Sequence, residues 1–239
     1  MKKLVAITGA SSGIGKALAY KFAKEGHPVL LMARRVEILE KFDIKDKVCA
    51  KVDVQNIDEI KNAIKLAEKK YGPVDCMINN AGIMFLNLFH EQPLQHKYDM
   101  LDVNVKGVIN GIDAVLNDML KRKDGTIINI SSIGGRWIFR NHAIYNGSKF
   151  AVNAITEGVR KEVAGSNVRF SSVEPGMVNT DILSRTDDKE ILKDYNDEKW
   201  SIGGGLTTDN TADLCYYIYS LPQMVNIKEV VITHTNDGN

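Results

Sequence analysis

With 239 residues, 31 basic against 30 acidic side chains and a formal charge of +1, the chain is long enough to bury a sizeable core and carries no global field that would draw it to nucleic acid or an anionic membrane. Three scattered cysteines, Cys49, Cys76 and Cys215, form no CxxC pair, which argues against a disulfide framework or zinc knuckle and fits a reducing cytosol. No stretch approaches the roughly 18 apolar residues of a membrane span, and the run after Met1-Lys2-Lys3 is too short for a signal peptide. The expectation is a cytoplasmic protein whose partner is a small molecule.

Short apolar runs rich in β-branched residues predict seven strands, at 4–8, 29–33, 48–52, 75–79, 126–131, 168–173 and 229–233. Between them the segments 14–25, 56–71, 94–121, 143–164 and 208–220 carry apolar residues at helical spacing, Ile60, Ile64, Ala67 and Tyr71 forming one such stripe. Strands alternating with helices imply a parallel sheet with right-handed crossovers. The fold class expected is α/β: a doubly wound, seven-stranded parallel sheet flanked by helices, in one domain spanning 1–239. The irregular region 181–205 holds the charged run Asp187, Asp188, Lys189, Glu190, then Trp200 and Gly203, Gly204, Gly205. It reads as a solvated insertion or as a substrate lid hinged near the glycines.

The turn between the first strand and first helix is Thr8-Gly9-Ala10-Ser11-Ser12-Gly13-Ile14-Gly15. Glycines there allow a tight turn and let the backbone approach a pyrophosphate facing the helix N-terminus. About twenty residues further on, a NAD-selective site would place an acidic residue on the ribose 2′-hydroxyl; this chain has Ala33-Arg34-Arg35. A carboxylate repels a 2′-phosphate, whereas a guanidinium binds it in a charge-assisted, bidentate way. The expected cofactor is NADP, with Arg34 on the phosphate. Arg35 is either a second ligand or a solvated helix start.

Reducing a carbonyl by hydride requires an acid for the nascent alkoxide and a donor to polarise the carbonyl. In Tyr145-Asn146-Gly147-Ser148-Lys149 the i, i+4 spacing puts phenol and ammonium on one helix face. A free tyrosine titrates near pH 10, so work near neutrality takes a shift of roughly 3 units, about 4 kcal/mol in favour of phenolate. An adjacent cation has the right sign. Ser132, at the end of the fifth strand, can hold the substrate oxygen.

Taken together these motifs resemble the short-chain dehydrogenase/reductase family. The match adds Asp53-Val54 after the third strand, Asn79-Asn80-Ala81-Gly82 after the fourth, Asn104 within Asp102-Val103-Asn104-Val105-Lys106-Gly107, and Pro175-Gly176-Met177-Val178-Asn179-Thr180 after the sixth, in family order over residues 4 to about 181. The resemblance implies a Rossmann-like fold with Tyr145 as general acid/base. Lys149 lowers its pKa and binds the nicotinamide ribose, Ser132 orients the carbonyl, and Asn104 shapes the central helix and supports a proton-relay water. It also implies adenine contacts at Asp53 and Val54, a cofactor wall at Asn80, Ala81 and Gly82, and a carboxamide seat at Pro175, Gly176, Val178 and Thr180. Asp53 reads alternatively as a cap for the helix starting near Ile57.

Substrate would meet Ile133, Trp137, Phe139, Arg140, His142, Phe85 and Met177. Arg136 or Arg140 pairs with a substrate carboxylate or stays solvated, and His142 reads as a helix cap or surface residue. None of the five histidines shows metal-ligand spacing. The segments Leu206 to Asp209 and Val225 to Glu229 resemble the tail of reductases acting on 3-hydroxy acids. The function expected is an NADP(H)-dependent oxidoreductase interconverting a small carbonyl and a secondary alcohol. The alternatives are a reductase of acyl chains on a carrier protein, docking through Arg136, Arg140 and Arg160, and a non-catalytic dinucleotide sensor. The resemblance implies a homodimer or homotetramer formed through the helices bearing Asn104 and Tyr145.

Overall fold

The computed structural model describes residues 2–238. Seven parallel strands form one sheet in the order β3-β2-β1-β4-β5-β6-β7: β1 is Leu4–Thr8, β2 Val29–Ala33, β3 Lys47–Lys51, β4 Val74–Asn79, β5 Gly125–Ile130, β6 Val168–Pro175 and β7 Glu229–Ile232. The chain lays down β1, β2 and β3 outward in one direction. It then crosses back to start β4 on the other side of β1 and builds outward again. At that reversal two adjacent crossovers leave on opposite faces, opening a crevice at the carboxyl ends of the strands.

Successive strand residues point to opposite faces, and both faces are covered. Leu4, Ala6 and Met77 join Ile60, Ile64, Val108, Ile112 and Val152 in one apolar cluster. Val5, Ile7, Cys76 and Ile78 join Leu18, Phe22, Ala212 and Ile218 in the other. Helices α3 (Ile57–Tyr71), α5 (Gly107–Arg122) and α6 (Ala143–Glu162) cover the first face, and α1 (Gly13–Lys24) and α8 (Thr208–Ser220) the second. Burial on both sides explains why the inner strands β1, β2, β4 and β5 read as largely continuous apolar runs rather than alternating ones.

Three local features depart from the sequence expectation. A short helix α2, Val36–Glu40, follows β2. The helix expected over 94–121 is interrupted: α4, Leu94–Leu101, passes through a π-helical turn at Asp102–Lys106 before α5 begins. The region 181–205 contains a further helix, α7, Lys189–Ser201, capped by Asp188, whose side chain accepts from the amides of Glu190 and Ile191. None of the α7 residues is fully buried. The segment's ends are tied together, since Leu206 N donates to Met177 O at 2.8 Å and Asn179 N to Leu206 O at 2.9 Å.

Candidate active site

At the strand carboxyl ends lies a cavity of about 1070 Å³, at the upper end of the 300–1,000 Å³ usual for small-molecule sites. Its far wall is the glycine loop. Thr8 Oγ1 accepts from the amides of Asn80 and Ala81 at 2.9 and 3.0 Å, and Asn80 Nδ2 donates to Thr8 O at 2.9 Å, stapling the loop to the end of β4. The approach tolerates no side chain: a Cβ on Gly15 would stand 2.3 Å from Gly9 O and 2.5 Å from Asn80 Nδ2. Gly15 thus packs behind the loop, while Gly9, Ser11, Ser12, Gly13 and Ile14 face the cavity. Ser12 is the N-cap of α1 but makes no side-chain cap bond, so amides of the first turn stay free for an anion.

Arg34 and Arg35 both line this end, and it is Arg35 that the protein itself orients. Its Nη2 donates to Ser11 Oγ at 3.2 Å and to Ser12 Oγ at 3.4 Å. Asp53 and Val54 form the adjoining wall. The cap of α3 is Asn56, whose Oδ1 accepts from Asp58 N, so Asp53 does not cap that helix; its own Oδ1 accepts from Gln55 N at 3.0 Å. A bare-backbone loop, a helix N-terminus and two guanidiniums suit a dinucleotide carrying an extra phosphate.

At the near end, Ser132 follows β5 and opens a 3-10 turn, Ile133–Gly135, its Oγ accepting from Gly134 N at 3.0 Å. Its hydroxyl stands beside the Tyr145 phenol, both groups lining the cavity next to Gly134. Lys149 lies one turn on in α6, with Nζ donating to Ile130 O at 2.9 Å and standing 5.7 Å from the Tyr145 ring centroid. Burial pushes the phenol above its ordinary value, with the serine opposing, and brings the ammonium down to about 8. The expected depression of Tyr145 by Lys149 does not emerge: burial is the largest influence on the phenol, and the group that opposes it is Ser132.

Asn104 lies off the cavity wall, fully buried in the π-turn. Its Oδ1 accepts from Ile83 N at 2.8 Å, and its Nδ2 donates to Ile83 O and to Ser148 Oγ, both at 3.0 Å. It therefore joins the segment after β4 to the helix bearing Tyr145 and Lys149. Wide turns of this kind are frequent at functional sites. Ala81, Gly82, Pro175, Gly176, Val178 and Thr180 complete the walls where expected.

The substrate end differs more. Trp137 and Phe85 do not line the cavity; Phe85 stacks on His96 with centroids 4.0 Å apart. Arg136 is not available to a substrate carboxylate, because its guanidinium is paired with Glu229 and with the fully buried Glu174, at 3.2 Å for the latter. Arg160 is likewise taken by Glu157. Phe139, Arg140, His142 and Met177 do face the cavity, joined by Arg185, Ile191, Asp194, Tyr195 and Glu198 from the 181–205 segment. Nothing in the sequence singles out these five: Arg185 lies in a turn, and α7 presents just Ile191 and Tyr195 to the core. Among the described residues no group of three or more His, Cys, Asp or Glu side chains forms a metal-binding cluster, and no helix is long and apolar enough to cross a membrane.

A serine hydroxyl and a tyrosine phenol converging on one point can hold and protonate a carbonyl oxygen, beside a channel shaped for a dinucleotide. A family model described as short chain dehydrogenase matches residues 3–191. An uncharacterized oxidoreductase of Staphylococcus saprophyticus is 39% identical over 236 residues, covering 96% of this chain and 95% of the relative. One from Listeria monocytogenes is 37% identical over 249 residues, covering 98% and 97%. Among solved structures, the closed form of serine dehydrogenase complexed with NADP+ is similar with a TM-score of 0.91 at 27% identity, covering 99% of this chain and 96% of that one. Fold, motifs and relatives agree: the chain is an oxidoreductase and belongs to the short-chain dehydrogenase family.

Proposed function

We propose that this protein is an NADPH-dependent reductase of small carbonyl compounds, running also in reverse on the matching secondary alcohols, 3-hydroxy acids among them. Residues 1–239 act as one catalytic domain with 181–205 as its substrate lid. The observation that carries this reading is that Ser132 and Tyr145 stand side by side in the same cavity as the glycine loop and Arg34–Arg35. The NADP+ seen with the similar serine dehydrogenase supports the cofactor and the substrate class.

Bound in the channel, the nicotinamide supplies or accepts the hydride. The free amides of the first turn of α1 hold the pyrophosphate, and Arg34 and Arg35 take the 2′-phosphate, Arg35 already aimed by Ser11 and Ser12. Val178 through its backbone and Thr180 through its side chain receive the carboxamide. A carbonyl oxygen placed between Ser132 Oγ and the Tyr145 phenol accepts from both. The Gly134 amide fills a lone pair of Ser132 Oγ, leaving that hydroxyl's hydrogen free to point at the substrate. Tyr145, protonated because it is buried, gives its proton to the developing alkoxide. Lys149 adds positive charge beside the phenol and reaches the ribose. With Arg136 and Arg160 occupied by internal carboxylates, two of the three arginines that could dock an acidic carrier protein are spent, which favours a free small substrate.

The test is turnover of small ketones and 3-hydroxy acids with NADPH against NADH, beside Tyr145→Phe, Arg34→Asp and Arg35→Ala. Tyr145→Phe is expected to lose about 10²–10⁴ in kcat, Arg34→Asp to favour NADH, and Arg35→Ala to weaken NADPH about tenfold or more. NADPH binding without turnover, with Tyr145→Phe no different from the parent, would point to a dinucleotide sensor.

A further inference from the structure

The His142 imidazole occupies a position for which the chemistry above has no use. It is the N-cap residue of α6 yet makes no side-chain cap bond, and it turns into the cavity instead. Its ring centroid is 6.2 Å from that of Tyr145 and 6.3 Å from that of Tyr195 in α7, with Phe139 at 5.8 Å on another side. All four rings line the same cavity. The i, i+3 spacing to Tyr145 puts the imidazole on the helix face that carries the reacting phenol.

Geometry also fixes which ring nitrogen carries the hydrogen. His142 Nδ1 lies 2.6 Å from Arg140 O, and a carbonyl can only accept, so Nδ1 is the donor. Burial lowers the imidazole's pKa, keeping the ring neutral near pH 7. Nε2 is then a bare acceptor with no hydrogen-bond partner among the described residues. A donor on a bound substrate can satisfy it. Asp194 and Glu198 of α7 line the same cavity and favour a donor-bearing substrate over one that only accepts, while Arg140 and Arg185 offset their charge there.

We propose that His142 is a specificity-determining residue whose Nε2 accepts a hydrogen bond from a hydroxyl or ammonium group on the carbon next to the reacting carbonyl, or one carbon further. The enzyme thereby selects hydroxy- or amino-substituted carbonyl compounds over their unsubstituted counterparts. This inference rests on the reductase reading above. A site with a committed hydrogen-bonding group rejects an analogue that leaves the group unpaired far more strongly than it senses a methylene.

The experiment compares kcat/KM with NADPH for matched ketones, 1-hydroxy-2-butanone against 2-butanone and aminoacetone against acetone, in the parent chain, His142→Phe and His142→Gln. The parent is expected to prefer the donor-bearing ketone by about tenfold or more. His142→Phe should bring the two close to parity, and His142→Gln, which keeps an acceptor oxygen, should restore part of the preference. NADPH binding measured on each variant shows that the cofactor channel has formed, and a ratio taken within one variant is insensitive to how much protein is active. An unchanged ratio in His142→Phe, or a parent that turns over both ketones equally, overturns the proposal. A parent inert toward every ketone, and indistinguishable from Tyr145→Phe, overturns the reductase reading and this inference with it.

Discussion

Burial brings the Lys149 ammonium down to about 8 and holds the Tyr145 phenol above its usual value, so the two groups part company over the range in which an enzyme works. Below pH 8 the lysine is a cation beside a protonated phenol, the state that reduction requires. Above it the cation is lost while the phenol keeps its proton. In the reductive direction kcat/KM should therefore be flat at neutral pH and fall with an apparent pKa near 8, read from a pH–rate profile with saturating NADPH; a profile flat through pH 9 or beyond would remove Lys149 from the reaction. The spacing of Tyr145 and Lys149 was legible in the sequence, but the electrostatic result was not. Spacing reports that two groups share a helix face, whereas the shift depends on how much water the fold removes from each. The same holds for Arg35: its place after β2 was readable, and its aim at Ser11 and Ser12 needed the loop to fold back beside it.

Among the elements, the turn that carries Ser132 depends on a partner distant in sequence. Arg136, four residues on, reaches Glu174 at the end of β6, next to Pro175 and Gly176 of the cavity wall. Asn153 of α6 adds a bond to Gly135 O at 3.1 Å and accepts from Ser172 Oγ at 2.8 Å. Arg136→Ala leaves a buried carboxylate unpaired and should cost about 2 kcal/mol, less than the 3–5 of a fully buried pair because the arginine is partly exposed; the melting midpoint would fall by about 4–8 °C. The sign with pH follows from Glu174, whose pKa burial raises. The fold disfavours its ionised form, so the penalty is absent below the unfolded-state pKa, grows as pH rises toward the folded value and persists above it. The Arg136→Ala deficit should be larger at pH 8 than at pH 5, and equal deficits would show that the pairing contributes nothing. No local pattern announces such a pair. Helix α7 escaped sequence reading for a related reason: an element with no fully buried residue lacks the apolar period by which helices are recognised. The five inner strands, buried on both faces, were read to within two residues because burial itself wrote their composition, and the part-exposed edge strands β3 and β7 were read to within one through their β-branched residues.

For the molecule as a whole, helices α4 to α6 cover the sheet yet keep apolar side chains on their outer faces: Leu94, Tyr98 and Leu101 of α4, Ile109 of α5 and Phe150 of α6 are all exposed. Such a surface suits a symmetric interface between copies of the chain, and light scattering at micromolar concentration should report a dimer or tetramer that Phe150→Glu weakens. A monomer at that concentration would sink the assignment. The reversal of strand order at β1 and β4 carries a separate consequence. Groups proposed to choose the nucleotide, Arg34, Arg35 and Asp53, follow β2 and β3 on one side of that seam; those that meet the substrate, from Ser132 to Glu198, follow β5 and β6 on the other. The two preferences can therefore drift independently in evolution, and a laboratory exchange of the β2–β3 half between relatives should transplant the choice of coenzyme while leaving the choice of alcohol behind.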